Sequence, residues 1–304
     1  MPAELNHQPA TGVPVVPSST LPPQKQMTTM LGHPVAENPI DRMFDAVYAH
    51  HGLNWQFWKC DVGSEDSLAA AIAGVRALGF AGACITVPYK VAAIPCLDEV
   101  DADVKAIGAA NYMTIEAGRL IGHNNDGKGV VKAISKVTPI QGKRVAMLGA
   151  GGAGRAMAVE LAWAGAAHLT LITRRKAQGE EVAALVTRAS GVPAVWQPWV
   201  GAVEIPAGTQ ILMNATHLGC APALESVPVD WHSIAATTTV VDVITNPRIT
   251  PFLQTARARG YPIVDGVEML VQLAMQIFEA WTGLGPEEAV FQRAVAQALG
   301  EAGS

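Results

Sequence analysis

The feature that most constrains the fold of this chain is one glycine turn. Gly149-Ala150-Gly151-Gly152-Ala153-Gly154 sits between a continuous apolar run, Val145-Ala146-Met147-Leu148, and an alanine-rich stretch reaching Ala164. A G-x-G-x-x-G pattern alone is common where glycine and alanine are abundant. Between a buried strand and a helix it has a mechanism. The first glycine permits the tight turn, and the second lets backbone approach a pyrophosphate. The helix then presents unpaired N–H groups and a partial positive charge to the anion. The other reading is a plain strand-to-helix turn that uses glycine for packing. The next strand, His168 to Ile172, runs into Thr173-Arg174-Arg175-Lys176. An acid there would hold bare ribose hydroxyls. Two arginines without an acid suit a 2′-phosphate instead, or form only a solvated basic loop.

Around this turn, strand and helix patterns alternate in two successive runs. The first has a strand near Met30-Leu31, a helix from Ile40 to His51, a strand from Trp55 to Val62, a helix from Ser67 to Leu78, and a buried strand from Gly82 to Val87. The second continues past the glycine turn with a helix from Glu180 to Ala189 and strands at Gln210–Met213, Val240–Val243 and Tyr261–Val264. A helix from Phe252 to Arg259 precedes the last of these. Glu268 to Ala298 reads as one or two helices broken near Gly283–Pro286. Such alternation predicts parallel sheets with helices on their faces. A length of 304 residues suits two domains. Residues 1–26 carry six prolines and no apolar period, and read as a disordered tail.

Charge and composition exclude several classes. The net charge of −5 lies in no blocks, so nothing attracts nucleic acid or a membrane surface. The four cysteines lie far apart and read as reduced thiols of a cytoplasmic protein. His50 and His51 lack metal-ligand spacing, and no metal is expected.

Two polar elements precede the glycine turn. Thr86-Val87-Pro88-Tyr89-Lys90 follows a buried strand, and Asn124-Asn125-Asp126-Gly127 lies where the first run hands over to the second. An alcohol that loses a hydride must also lose a proton. A lysine can take that proton while a neighbouring carboxylate positions it. Separately, each element is an ordinary solvated lysine or an N-D-G turn.

In this order, these residues resemble the shikimate dehydrogenase family from about residue 27 onward. Thr86–Lys90 matches its T-V-P-[FY]-K motif, and Gly108-Ala109-Ala110-Asn111 matches G-A-[VA]-N. Asn124–Gly127 matches N-T-D-G with one change, and Gly149–Ala153 matches G-A-G-G-A. Thr173-Arg174-Arg175 sits on N-R-T, while Asn214-Ala215-Thr216 and Asp265-Gly266-x-x-Met269-Leu270 match later signatures. The resemblance implies an α/β protein with an N-terminal substrate domain (27–125), a Rossmann-type NADP-binding domain (126–265) and C-terminal helices (266–304) returning to the first. It implies Lys90 as proton relay with Asp126 beside it, and substrate contacts at Thr86 and Asn111. NADP contacts are implied at Gly149, Ala150, Gly151, Gly152, Ala153, Thr173, Arg174, Arg175, Asn214, Val243 and Gly266.

The departures concern the substrate. The family's paired serines fall on Asn38 and Ile40, its strand asparagine on Cys84, its tyrosine on Thr245, and the glutamine of the last helix on Leu273. Asn38 and the adjacent Gln272 are the expected replacements in contact with substrate. Arg42 could re-create an anion anchor, or it could pair at the surface with Glu37 or Asp41. His123 and His217 flank the motifs and could face the cleft, although a loop or surface histidine is the commoner case.

The expected activity is NADP-dependent hydride transfer to or from a secondary alcohol of a shikimate-like polyhydroxylated compound other than shikimate. The competing readings are a shikimate or quinate dehydrogenase with a rebuilt carboxylate site, and a catalytically silent sensor of dinucleotide and metabolite. Retention of both Lys90 and Asp126 favours the enzyme. The partner is a small polyol or hydroxy acid. The oligomeric state is left open, a homodimer included.

Overall fold

A computed structural model describes residues 24–300. The tail expected at residues 1–26 lies outside these up to residue 23, and Gln26 already opens the first strand. Two six-stranded sheets carry the chain.

The first sheet is built from β1 (Gln26–Gly32), β2 (Trp55–Asp61), β3 (Gly82–Ile85), β4 (Glu99–Val100), β5 (Tyr112–Glu116) and β6 (Arg119–His123), in the order β2-β1-β3-β5-β6-β4. The helices between them are α1 (Ile40–His50), α2 (Leu68–Ala77) and α3 (Ala102–Ile107). β2, β1 and β3 are parallel, as the alternation predicts. β5 and β6 are not: they form an antiparallel hairpin. Only Ala117 and Gly118 join them, too few residues for a parallel crossover. Both have positive φ, 49° and 79°, as a type I′ turn requires. Alanine in the first of these positions hides the turn from a sequence reading.

The second sheet is wholly parallel. Its strands are β7 (Arg144–Leu148), β8 (His168–Thr173), β9 (Ala194–Pro198), β10 (Ile211–Asn214), β11 (Thr239–Asp242) and β12 (Ile263–Val264), in the order β12-β11-β10-β7-β8-β9. Counted within this sheet, that is the doubly wound order, whose reversal between β7 and β10 opens a crevice at the carboxyl ends of the strands. α4 (Asp126–Ser135) leads into this half, and α5 (Gly152–Trp163), α6 (Lys176–Ser190) and α7 (Pro251–Ala258) flank it.

α8 (Gly266–Thr282) and α9 (Glu288–Ala298) close the structure. Gly283, at φ 70°, ends α8 and allows the break expected near Gly283–Pro286. Both helices pack on the first half, where they complete its core. Phe44 of α1 stacks on Phe57 at 5.1 Å and meets Trp281 at 5.5 Å. The Trp281 indole N–H donates to the Met113 carbonyl at 3.0 Å, and that bond fixes α8 against β5. α4 packs on both α5 and α8, so its first turn lies where the two halves meet.

Candidate active site

Chain geometry brings the separated polar motifs to one cleft. Thr86 and Lys90 lie in the turn after β3, and Asn111 precedes β5. Asp126 is the first residue of α4. Lys90 Nζ donates to Asp126 Oδ2, with the two side chains 10% and 4% exposed. At a helix N-terminus the Asp126 carboxylate also gains from the macrodipole. Asn111 Nδ2 donates to the second Asp126 oxygen at 3.0 Å and to Asn125 Oδ1 at 2.8 Å. Asn125 returns its backbone N–H to Asn111 Oδ1 at 2.9 Å and donates from Nδ2 to the Leu273 carbonyl of α8. Asn124 accepts from the Asp126 amide and donates to the Ala109 carbonyl. Every polar atom that could tilt Asp126 is thus held, and the ion pair has one geometry.

The glycine turn has the shape an anion needs. Gly149 takes φ 97°, and a Cβ there would lie 2.8 Å from Thr216 Cγ2 and 2.9 Å from the Ala215 carbonyl. Gly154 lies against the Gly149 carbonyl, 3.2 Å from where its Cβ would stand. Gly151 is different: a Cβ would enter open space. That space lies at the N-terminus of α5, whose first N–H groups have no intrahelical partner. A pyrophosphate fits this cradle, and a side chain at Gly151 would intrude on it. Gly152 lets the two halves approach, since its Cβ would stand 3.1 Å from Lys90 Cβ. The lysine stem therefore rests against the start of the dinucleotide helix.

Arg174 and Arg175 are exposed at the end of β8, as a phosphate site requires. Arg175 Nε donates to Gln178 Oε1 at 3.1 Å, and among the described residues Arg174 has no hydrogen bond or ion pair. Thr173 points inward. Its hydroxyl donates to the Arg175 carbonyl and accepts from the Trp196 indole. Asn214 is fully buried, and both ends of its amide serve the protein. Nδ2 donates to the Leu218 carbonyl and Asp242 Oδ1, while Oδ1 accepts from Thr216. Both residues shape the crevice rather than reach into it. Asp242 itself is buried, and burial pushes its carboxyl up to about 6 against donors from Thr250, Ile244 and Asn214.

Between these parts lies a cavity lined by Asn38, Thr86, Lys90, Asn111, Asp126, Val243, Thr245 and Gly266, with Ala153 from the glycine turn. The rest of the lining is Met30, Ile40, Cys84, Ile85, Met157, Met269, Leu270, Leu273 and Ile277. Gln272 departs from expectation. It lies outside the lining, and its amide donates to Glu268 Oε1 at 3.2 Å. One residue along a helix turns a side chain by about 100°, so Leu273 faces the cavity and Gln272 does not. The apolar side was missed by the sequence reading. Its signal was the spacing Gly266, Met269, Leu270, Leu273, Ile277, a single helical stripe. Arg42 and Glu37 are both exposed and outside the lining. His123 is held by Asp101 and Thr114 and stacks on Tyr112; His217 is exposed. Burial pushes the Cys84 thiol up, so it stands in the cavity as a neutral group.

The chain is similar over most of its length to known proteins. The family model for the shikimate dehydrogenase substrate binding domain matches residues 30–113. The shikimate dehydrogenase (NADP(+)) of Moorella thermoacetica is 38% identical, over 90% of this chain and 94% of its own. The ligand-free crystal structure of 5-ketofructose reductase from a Gluconobacter species is 40% identical, with a TM-score of 0.82, over 90% of this chain and 99% of that one. A shikimate dehydrogenase in complex with NADP+ is 29% identical, with a TM-score of 0.83, over 90% and 96%. The chain belongs to the shikimate dehydrogenase family of NADP-type oxidoreductases. Among the described residues, no helix is long and apolar enough to cross a membrane.

Proposed function

We propose that the protein is an NADP-dependent reductase of a neutral polyhydroxylated ketone, working reversibly on the corresponding secondary alcohol. The division of labour is substrate on residues 27–125 and dinucleotide on 126–265, with 266–304 closing over the first. The observation that carries the substrate reading is the charge of the cavity. Its lining holds one ammonium, Lys90, and that is committed to the one carboxylate, Asp126. The rest of the lining includes the apolar Met30, Ile40, Leu270, Leu273 and Ile277 and the uncharged groups Asn38, Cys84 and Thr245. A substrate carboxylate against that lining would lose its water without finding a counter-charge, at a cost of several kcal/mol. Neutral hydroxyls need only the amides and hydroxyls present. A neutral sugar-like ketone such as that of 5-ketofructose reductase, the 40% identical relative, meets this description.

The cradle at Gly149–Ala153 would hold the pyrophosphate, and Arg174 with Arg175 the 2′-phosphate. Val243 and Gly266 would flank the nicotinamide. Bound there, NADPH supplies the hydride. Lys90 then hydrogen-bonds the ketone oxygen and delivers a proton to it as the carbon is reduced; in the reverse direction it removes that proton. Asp126 fixes the ammonium, and Asn111 and Thr86 orient the hydroxyls beside the carbonyl. Asn38 contacts the far end of the substrate. The test is loss of reduced-nicotinamide absorbance over a panel of neutral polyhydroxylated ketones, 5-ketofructose among them. Turnover of at least one is expected. Binding of NADPH with silence across that panel and across carboxylate-bearing analogues would identify a sensor instead.

A further inference from the structure

We infer that Lys59 is a positioning residue for the substrate, holding the loop after β1 so that the Asn38 amide stands at the cavity wall. This rests on the reading of Asn38 as a substrate contact. The observation is a charge in the wrong place. Side chains two apart on a strand share a face. Trp55, Phe57 and Lys59 follow one another in this way on β2, and Phe57 is buried against Phe44. A third apolar residue would continue that face. Lys59 stands there instead, with its side chain only 17% exposed.

Its ammonium is held from the loop and from α1. Nζ donates to the Ala36 carbonyl at 2.8 Å and to the Asn38 carbonyl at 3.0 Å, and lies 3.3 Å from Asp41 Oδ2. Two of its three protons go to backbone carbonyls, and Asp41 pairs with its charge. The two carbonyls belong to the loop between Gly32 and α1, and Asp41 is in the first turn of α1. Asn38 is held a second time from its own side chain, since Oδ1 accepts from the Ile40 amide, the first of α1, at 3.0 Å. Its Nδ2 is left with no partner among the described residues, in a residue that lines the cavity. The lysine is not in the lining. It acts through Asn38, and contributes to the ordering of a donor that would otherwise have to be ordered by the substrate itself.

The full-length protein tests this by hydrogen exchange and by kinetics with 5-ketofructose and NADPH. In Lys59→Met, exchange across residues 33–40 should quicken about tenfold or more while residues 86–91 stay unchanged, the mark of a local opening. Lys59→Met and Asn38→Ala should each raise the KM for the ketose about tenfold, with kcat within about threefold and the KM for NADPH unmoved. Because the lysine works through the asparagine, Lys59→Met added to Asn38→Ala should cost less than about a further twofold. Lys59→Arg should restore most of the lost affinity. Unchanged exchange in Lys59→Met, or a full additive loss in the double variant, overturns the inference. An unchanged KM in Asn38→Ala, or no turnover of the ketose, defeats the substrate reading instead, and the exchange data still judge the pinned loop. If Lys59→Met does not fold, Lys59→Gln is measured in the same way.

Discussion

Lys90→Met is expected to lower kcat by about 10²–10⁴-fold, the usual loss for a group that moves a proton in the transition state. Methionine keeps an apolar stem against Gly152, so packing at the start of α5 should survive. The Kd for NADPH should stay within about twofold, because the lysine is no part of the pyrophosphate cradle and removes only transition-state stabilisation. Removing the ammonium also leaves Asp126 buried without its partner, at 3% exposure. Asp126→Asn should therefore show a comparable loss, and the two changes together should cost much less than their product, as in groups that act as one unit. Stopped-flow measurement of nicotinamide oxidation separates this from a slow product release. A Lys90→Met enzyme within a few-fold of the parent would remove the lysine from the mechanism.

The second large effect concerns the cofactor. Arg174→Ala/Arg175→Ala should weaken NADP by about a hundredfold, taking the lower end of 1.5–3 kcal/mol for each charge-assisted contact. The lower end applies because both arginines are exposed, so solvent and salt screen them. NAD, lacking the 2′-phosphate, should change by less than about threefold, and the loss for NADP should shrink as salt rises. Titration calorimetry at two ionic strengths reads both. Equal losses for the two dinucleotides would show that the pair contributes to folding of the crevice and not to the phosphate.

Much of this was legible in the sequence, for reasons that differ by residue. The glycine turn could be read because its constraint is local: a strand, a positive φ at Gly149 and a helix start within a few residues. Lys90 and Asp126 carried little signal separately. Their meaning comes from a meeting between a turn after β3 and the first turn of α4, which family resemblance supplied and local pattern could not. The hairpin β5–β6 escaped because Ala117 occupies a position where asparagine or glycine usually signals the turn. Gln272 departs from expectation for a simpler reason. It is polar and adjacent to the family's position, but helical phase turns it to Glu268 and puts Leu273 in the cavity. Lys59 carries no signal in the sequence, because a lysine on an edge strand is ordinarily a solvated one. Only the packed loop reveals that its ammonium is spent on backbone carbonyls.

The same replacements support our proposal of a substrate other than shikimate. Ile40 donates nothing, Asn38 has only Nδ2 to offer, and Leu273 and Thr245 present little polarity where longer polar groups stood in the family's pattern. One lost hydrogen bond to the carboxylate, at about 1.5–3 kcal/mol, and lost neutral contacts at Leu273 and Thr245, at about 0.5–1.5 kcal/mol each, together correspond to about a hundredfold in kcat/KM. The most direct test is therefore a comparison of kcat/KM for shikimate with NADP and for 5-ketofructose with NADPH, at one pH and ionic strength. The account predicts an ordinary enzyme value, about 10⁴–10⁸ M⁻¹s⁻¹, for the neutral ketose and a value at least about a hundredfold lower for shikimate. Shikimate within that ordinary range, with the ketose inert, would contradict it.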